Sequence, residues 1–213
     1  MEKILLIGDS IRAGYDSFVK KAFEGVADVV YPNENCRFTS YILRNLADWA
    51  ESLGCDENTA LVHWNAGLWD DLTMMDGKPL VRAEVYAENI ERIDDMMRRL
   101  FPKARFIFAT STPVQEHLFA SRRNKRYNRD TEAYNALAVS ILQKRGVAIN
   151  DLYALLKDAP AEYHSDLTHY YTKEGTRLIA DTVIDKIAHT LSLTPQKLDY
   201  DAIFAAKYDV VGI

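Results

Sequence analysis

Three short pieces of the chain carry side chains that could do chemistry together. Gly8-Asp9-Ser10 follows a run of four apolar residues, Asn65 follows a second apolar run, and Asp166-x-x-His169 lies towards the other end. A serine hydroxyl is a poor nucleophile unless an adjacent base takes its proton. Histidine titrates in the range that such a base needs. A carboxylate on the other ring nitrogen fixes the tautomer and stabilises the imidazolium. Asp166 and His169 stand three apart, the spacing that puts two side chains on one face of a helical turn. The oxyanion formed at an acyl carbonyl needs donors already in place. Asn65 can offer its amide N–H. Ser10 can offer its backbone N–H, because it stands at the start of a helix, where such groups are free. The chemistry open to this set is acyl transfer.

These groups act together only if the fold gathers them. Short apolar runs at residues 3–7, 26–31, 59–64, 105–110 and 147–149 read as strands. Helical spacing marks residues 39–53, 82–100, 130–144 and 173–191, with Gly54 and Gly146 as C-terminal stops. Strand and helix alternate about five times, which predicts a parallel sheet with helices on both faces. In such a sheet ligands sit beyond the carboxyl ends of the strands, where the strand order reverses. Ser10 follows the first strand and Asn65 the third. The two are neighbours if the order is the flavodoxin-like 2-1-3-4-5. Residues 115–129 are polar and basic and read as a loop, and residues 194–213 form a tail beyond the last core helix.

Gly8-Asp9-Ser10-Ile11, Asn65 and Asp166-x-x-His169 resemble, in order and approximate spacing over residues 3–190, the blocks of the SGNH or GDSL hydrolases. The resemblance implies a three-layer α/β/α sandwich around a five-stranded flavodoxin-like parallel sheet. It implies ester hydrolysis without metal or cofactor, with Ser10 as nucleophile, His169 as base, Asp166 as its orienting acid and Asn65 in the oxyanion hole. The family's second block supplies a further backbone donor from a glycine, and that position falls on Cys36. The third block is commonly G-x-N-D, whereas this chain reads His63-Trp64-Asn65-Ala66 and then Gly67-Leu68-Trp69-Asp70. Trp69, Tyr170 and Tyr171 flank the expected site, and Trp69 and Tyr170 are candidates for a substrate pocket.

The chain has 213 residues, which predicts one domain over residues 1–193 with 194–213 as its C-terminal extension. Its net charge of −5 gives no support to nucleic-acid binding. G-x-G-x-x-G and the P-loop pattern are both absent, which argues against a nucleotide- or flavin-binding sheet. His63, His117 and His164 match no common metal-ligand spacing. Cys36 and Cys55 stand 19 apart, outside any zinc or disulfide pattern, and fit a reducing compartment. Only four apolar residues precede Gly8, too few for a signal-peptide core, and no run approaches a membrane span, so the cytoplasm is expected. The expected activity is a serine esterase or acylhydrolase taking a small-molecule ester with a short acyl group, such as an acetylated carbohydrate. The competing reading is a non-catalytic carbohydrate- or peptide-binding module on the same fold.

Overall fold

The computed structural model describes residues 1–208; residues 209–213, the end of the expected 194–213 extension, lie outside the described residues. Five strands, β1 (Glu2–Ile7), β2 (Ala27–Val30), β3 (Leu61–Trp64), β4 (Arg105–Ala109) and β5 (Ala148–Asn150), form one sheet in the order β2-β1-β3-β4-β5. Every pairing is parallel. The strand order reverses between β1 and β3, which places the crevice at their carboxyl ends. Ile7 pairs with Trp64, and the Asn65 N–H donates to the Ile7 carbonyl at 3.0 Å. Gly8 and Asn65 therefore leave the sheet side by side.

Alternation along each strand divides the core in two. Ile4 and Leu6 pack on one face with α1 (Ser10–Ala22) and α6 (Lys173–Leu191). Leu5, Ile7, Val62, Trp64 and Phe108 pack on the other with α2 (Thr39–Ser52), α3 (Ala83–Leu100) and α4 (Asn128–Lys144). Both faces being covered is why the strands read as continuous apolar runs rather than as alternating ones. The α1–α6 layer decides where the chemistry falls. Ile11, Tyr15 and Phe18 of α1 share a cluster with Ile179, Val183 and Ile187 of α6. The N-terminus of α6 and the turn before it are thus carried to the N-terminus of α1.

Among the described residues, two α-helices lie outside the expected pattern. The five-residue α5 (Leu152–Leu156) is capped by Asp151, whose side chain accepts the Ala154 N–H at 3.1 Å. A helix that short shows no periodicity to read. The extension carries α7 (Tyr200–Tyr208), which folds back on the α1–α6 layer. Tyr200 stacks on Phe18 with ring centres 5.4 Å apart, and Lys173 pairs with Asp201 at 2.7 Å. Lys207 Nζ donates to the Gly14 carbonyl and to Asp16 at 3.1 and 3.2 Å. These tertiary contacts, more than local sequence, hold that helix. Among the described residues no helix is long and apolar enough to cross a membrane.

Phe108 is fully buried and meets the Trp64 ring at 4.8 Å between centres, one residue before Asn65. Phe108→Ala is expected to cost about 3–5 kcal/mol of stability, read from the urea unfolding midpoint at unchanged m-value.

Candidate active site

Ser10 is the first residue of α1. Asp9 before it is the N-cap and accepts the Ile11 N–H at 2.9 Å. The cap fixes the direction of the helix as it leaves β1 and leaves the Ser10 N–H without an intrahelical partner. Ser10 Oγ lies 2.8 Å from His169 Nε2, and His169 Nδ1 lies 2.8 Å from Asp166 Oδ2. An imidazole that donates its Nδ1–H to the carboxylate leaves Nε2 free to accept the serine proton. Ser10, His169 and Asp166 are thus brought together in one chain of hydrogen bonds.

The Asp166–His169 segment is not the helical turn that its spacing suggested. It is a turn built on the aspartate: Asp166 Oδ1 accepts the Thr168 and His169 N–H groups at 2.7 and 2.8 Å, while Oδ2 faces the ring. An aspartate bonding to its own backbone two residues on makes such a turn without any helix. The Ser165 N–H closes it from the other side on the His169 carbonyl at 2.8 Å. Gln115 ties it to the loop after β4, its N–H donating to the Leu167 carbonyl at 3.0 Å. Burial acts to raise the Asp166 carboxyl, but the His169 and Thr168 N–H groups and the imidazole outweigh it, so the pKa lies below the ordinary aspartate value.

Asn65 is buried against Gly8. A Cβ added to Gly8 would stand 2.0 Å from Asn65 Oδ1 and 2.7 Å from Arg12 Cβ. Only glycine allows this approach. Behind Ser10, the buried Asp9 carboxyl is raised by desolvation, against the opposing pull of the Asn65 amide, the Ile11 N–H, Arg126 and His169. Cys36 does not take the donor position expected of it. Its N–H is already given to the Gly8 carbonyl at 3.1 Å, and burial pushes its thiol up to about 11. The left-handed residue of that loop is its neighbour Arg37, at φ 54°, whose N–H is given to Asn35 Oδ1 at 2.8 Å. The loop after β2 therefore spends one of these donors on the turn after β1 and the other on itself.

The aromatic candidates divide. Tyr170 is 2 % exposed, its ring lies against His164 and its hydroxyl donates to the Pro113 carbonyl at 3.0 Å. It belongs to the core under the site and not to a substrate pocket, because α6 turns it inward next to Thr176 and Ile179. Trp69 is half-buried in the turn after β3 and does not line the cleft beside His169. Tyr171 is the aromatic at the site. Its ring stacks on His169 at 4.7 Å between centres, and its hydroxyl donates to the Ser10 carbonyl at 2.6 Å. Gly14 makes room for it, since a Cβ there would meet the ring at 2.8 Å. The four other histidines lie apart: His63 is buried in β3 and held neutral by desolvation at a pKa of about 3, His117 is exposed, His164 is half-buried against the Pro113 carbonyl, and His189 is exposed near the end of α6.

Sequence reasoning missed the supports supplied by the turn after β3. Asp70 accepts the Thr39 N–H at 3.1 Å and the Thr39 hydroxyl at 2.5 Å, which anchors the start of α2. Asp71 pairs with Arg126 at 3.1 Å and accepts the Thr131 hydroxyl at 2.6 Å, which anchors the loop before α4. Burial raises the Asp71 carboxyl and lowers the Arg126 guanidinium, and each supplies the charge that the other needs. The adjacent pair Asp70-Asp71, so close after a buried strand, was the only signal.

No family model matches the chain, and no curated protein matches it by sequence. Solved structures do. A lipase/acylhydrolase from Enterococcus faecalis is 19% identical at a TM-score of 0.71, over 93% of this chain and 100% of that one. The fold is the SGNH/GDSL hydrolase fold. A GDSL-like lipase from Bacteroides thetaiotaomicron is 16% identical at a TM-score of 0.68, over 89% of each chain. A catalytic mutant of an acetylxylan esterase from Geobacillus stearothermophilus is 17% identical at 0.67, over 87% of this chain and 94% of that one. At these identities the likeness is one of fold.

Gly8→Ala is expected to push Asn65 and Arg12 aside. It should cost about 1–3 kcal/mol of stability, measured by chemical unfolding, and a crystal structure of the variant should show the Asn65 side chain displaced.

Proposed function

We propose that the protein is a serine esterase that cleaves a carboxylic ester through an acyl-enzyme on Ser10. The observation that carries this reading is the unbroken chain Ser10 Oγ–His169 Nε2 and His169 Nδ1–Asp166 Oδ2, with 2.8 Å at each step. Ser10 Oγ attacks the acyl carbonyl as its proton passes to His169 Nε2. The Ser10 N–H and the Asn65 amide hold the oxyanion, so that charge develops against donors already in place. The bond from the carbonyl carbon to the alcohol oxygen breaks, and His169 gives that oxygen its proton. Water then repeats the sequence: its oxygen attacks the acyl carbon, its proton goes to His169, and the acid leaves as the proton returns to Ser10 Oγ. Asp166 holds the ring and stabilises the imidazolium throughout, and Tyr171 stacks beneath it.

Two chemical arguments shape the substrate reading. The set includes no group that requires a metal, because the oxyanion donors are neutral N–H groups and the nucleophile is activated by imidazole. A short acyl group such as acetyl is the reading for the acyl part, in line with the acetylxylan esterase among the structural neighbours.

Ser10→Ala and His169→Ala are each expected to lower kcat for a short p-nitrophenyl ester about 1,000-fold or more while the unfolding midpoint holds. Wild-type protein should be labelled by a fluorophosphonate and Ser10→Ala should not. Labelling of neither would return the molecule to the binding-module reading. Asn65→Ala should lower kcat about 100- to 1,000-fold.

The pH dependence follows from Asp166. Its folded pKa is lowered, so it stays charged down through the unfolded value of 3.8, and the stability it contributes is lost only as pH falls through the lower folded value. The stability lost in Asp166→Asn, read from urea unfolding midpoints, should therefore be about the same at about pH 7 and about pH 5 and shrink only below that. A difference that already shrinks between about pH 7 and about pH 5 would show that Asp166 titrates in that range.

A further inference from the structure

A cleft of about 510 Å³ opens beside His169, and its wall is basic. Arg122, Arg123 and Arg126 line it, against a single acidic side chain, Asp166. The Asp166 carboxylate is committed to the His169 ring and to two backbone N–H groups. The Arg126 charge is matched by the buried Asp71. Arg122 and Arg123 are exposed, and neither has an ion-pair partner among the described residues. The chain as a whole carries −5, so this excess of positive charge is local and not a general property of the surface.

The loop that carries the two arginines is pinned at several points. The backbones of Thr73 and Lys125 exchange hydrogen bonds at 2.9 and 2.8 Å. Lys125 Nζ donates to the Phe119 and Ala120 carbonyls at 2.9 and 2.6 Å. The Asn128 side chain bonds the Val114 N–H and carbonyl at 2.8 and 3.0 Å. Phe119 is buried beneath. None of these bonds uses the Arg122 or Arg123 side chain, so the loop keeps its shape without them and holds two unmatched guanidinium groups at the mouth of the cleft. Guanidinium pairs with carboxylate and phosphate through parallel hydrogen bonds.

The position of the cleft says which part of an ester would reach them. The imidazole must protonate the departing oxygen, so the alcohol part lies on the His169 side, where this cleft opens. We propose that the preferred substrate is an ester whose alcohol part carries an anionic group, carboxylate or phosphate, bound by Arg122 and Arg123. The proposal rests on the esterase reading for the reaction and on the cleft for the anion.

The test compares two isosteres that differ in charge, para-acetoxybenzoate and para-acetoxybenzamide, with para-acetoxyphenyl phosphate as the phosphate arm. At low ionic strength kcat/KM is expected to favour an anionic ester over the amide by about tenfold, and the larger of the two preferences identifies the anion. The ratio should fall close to one in Arg122→Glu/Arg123→Glu, and likewise at about 0.5 M salt, because both groups are exposed. Arg122→Gln/Arg123→Gln gives the same readout with less disturbance, and far-ultraviolet circular dichroism checks the fold of each. Equal kcat/KM for charged and neutral esters, or a preference that survives both double variants, would overturn the proposal. If the wild type hydrolyses neither these three nor the short p-nitrophenyl ester, the esterase reading fails instead. The cleft is then judged by titration with para-hydroxybenzoate against para-hydroxybenzamide: tighter binding of the anion, lost in the double variants, upholds it and equal binding overturns it.

Discussion

The hydrogen bond between Ser10 Oγ and His169 Nε2 joins residues 159 apart in sequence, and most of the architecture can be read as what that bond requires. Local structure sets each end but not their meeting. The serine is set by β1 and by the cap that Asp9 places on α1. The imidazole is set by a turn that leads into α6. The two meet because α1 and α6 share one apolar layer on the same face of the sheet, where Ile11 and Tyr15 pack with Ile179 and Val183. A shift of one helix turn along that layer moves a side chain by about 5 Å, more than a hydrogen bond tolerates. The precision of the site therefore comes from core packing well away from it.

Within the site, the polar groups form nested supports. Asp166 uses one oxygen to shape its own turn and the other to hold the imidazole, so the conformation of the turn and the orientation of the base are one structure. Tyr171 bonds the Ser10 carbonyl and stacks on His169, which links both ends of the long-range pair through a single side chain. The tight contact at Gly14 and the still tighter one between Gly8 and Asn65 show how little slack the layer has. Close packing of this kind leaves the Asn65 side chain little room to reorganise.

The readable part of this molecule was the part written in local pattern. Buried runs marked all five strands to within two residues at each end, and the helix over residues 173–191 coincides with α6. Ser10, Asp166 and His169 could be named because the serine stood directly after the first strand and the aspartate and histidine stood three apart before the last long helix, in the order of the blocks they resemble. What failed was decided in space. Cys36 stood at the right position in the loop, but a backbone donor is useful only when nothing nearer claims it, and the Gly8 carbonyl does. Tyr170 and Tyr171 are adjacent and alike, and only the rotation of the chain as it enters α6 sends one to the core and the other to the imidazole. The helix at residues 200–208 has a weak pattern of its own and is held by Phe18, Lys173 and Asp16 from elsewhere in the chain.

Net charge misleads in the same way. An acidic chain gave no support to nucleic-acid binding, yet fields act over distances of about 10 Å at moderate salt, so a cleft responds to the side chains that line it and hardly to the far surface. Here Asp71 is engaged with Arg126 and Thr131, Asp70 with Thr39, and Asp166 with the imidazole and its own turn. These carboxylates are thus spent on the arginine loop, on the start of α2 and on the turn that holds His169. The positive charge left over at residues 122 and 123 follows from how the fold assigns its pairs and not from composition, and that is why the basic stretch reads as an ordinary solvated loop until its neighbours are known.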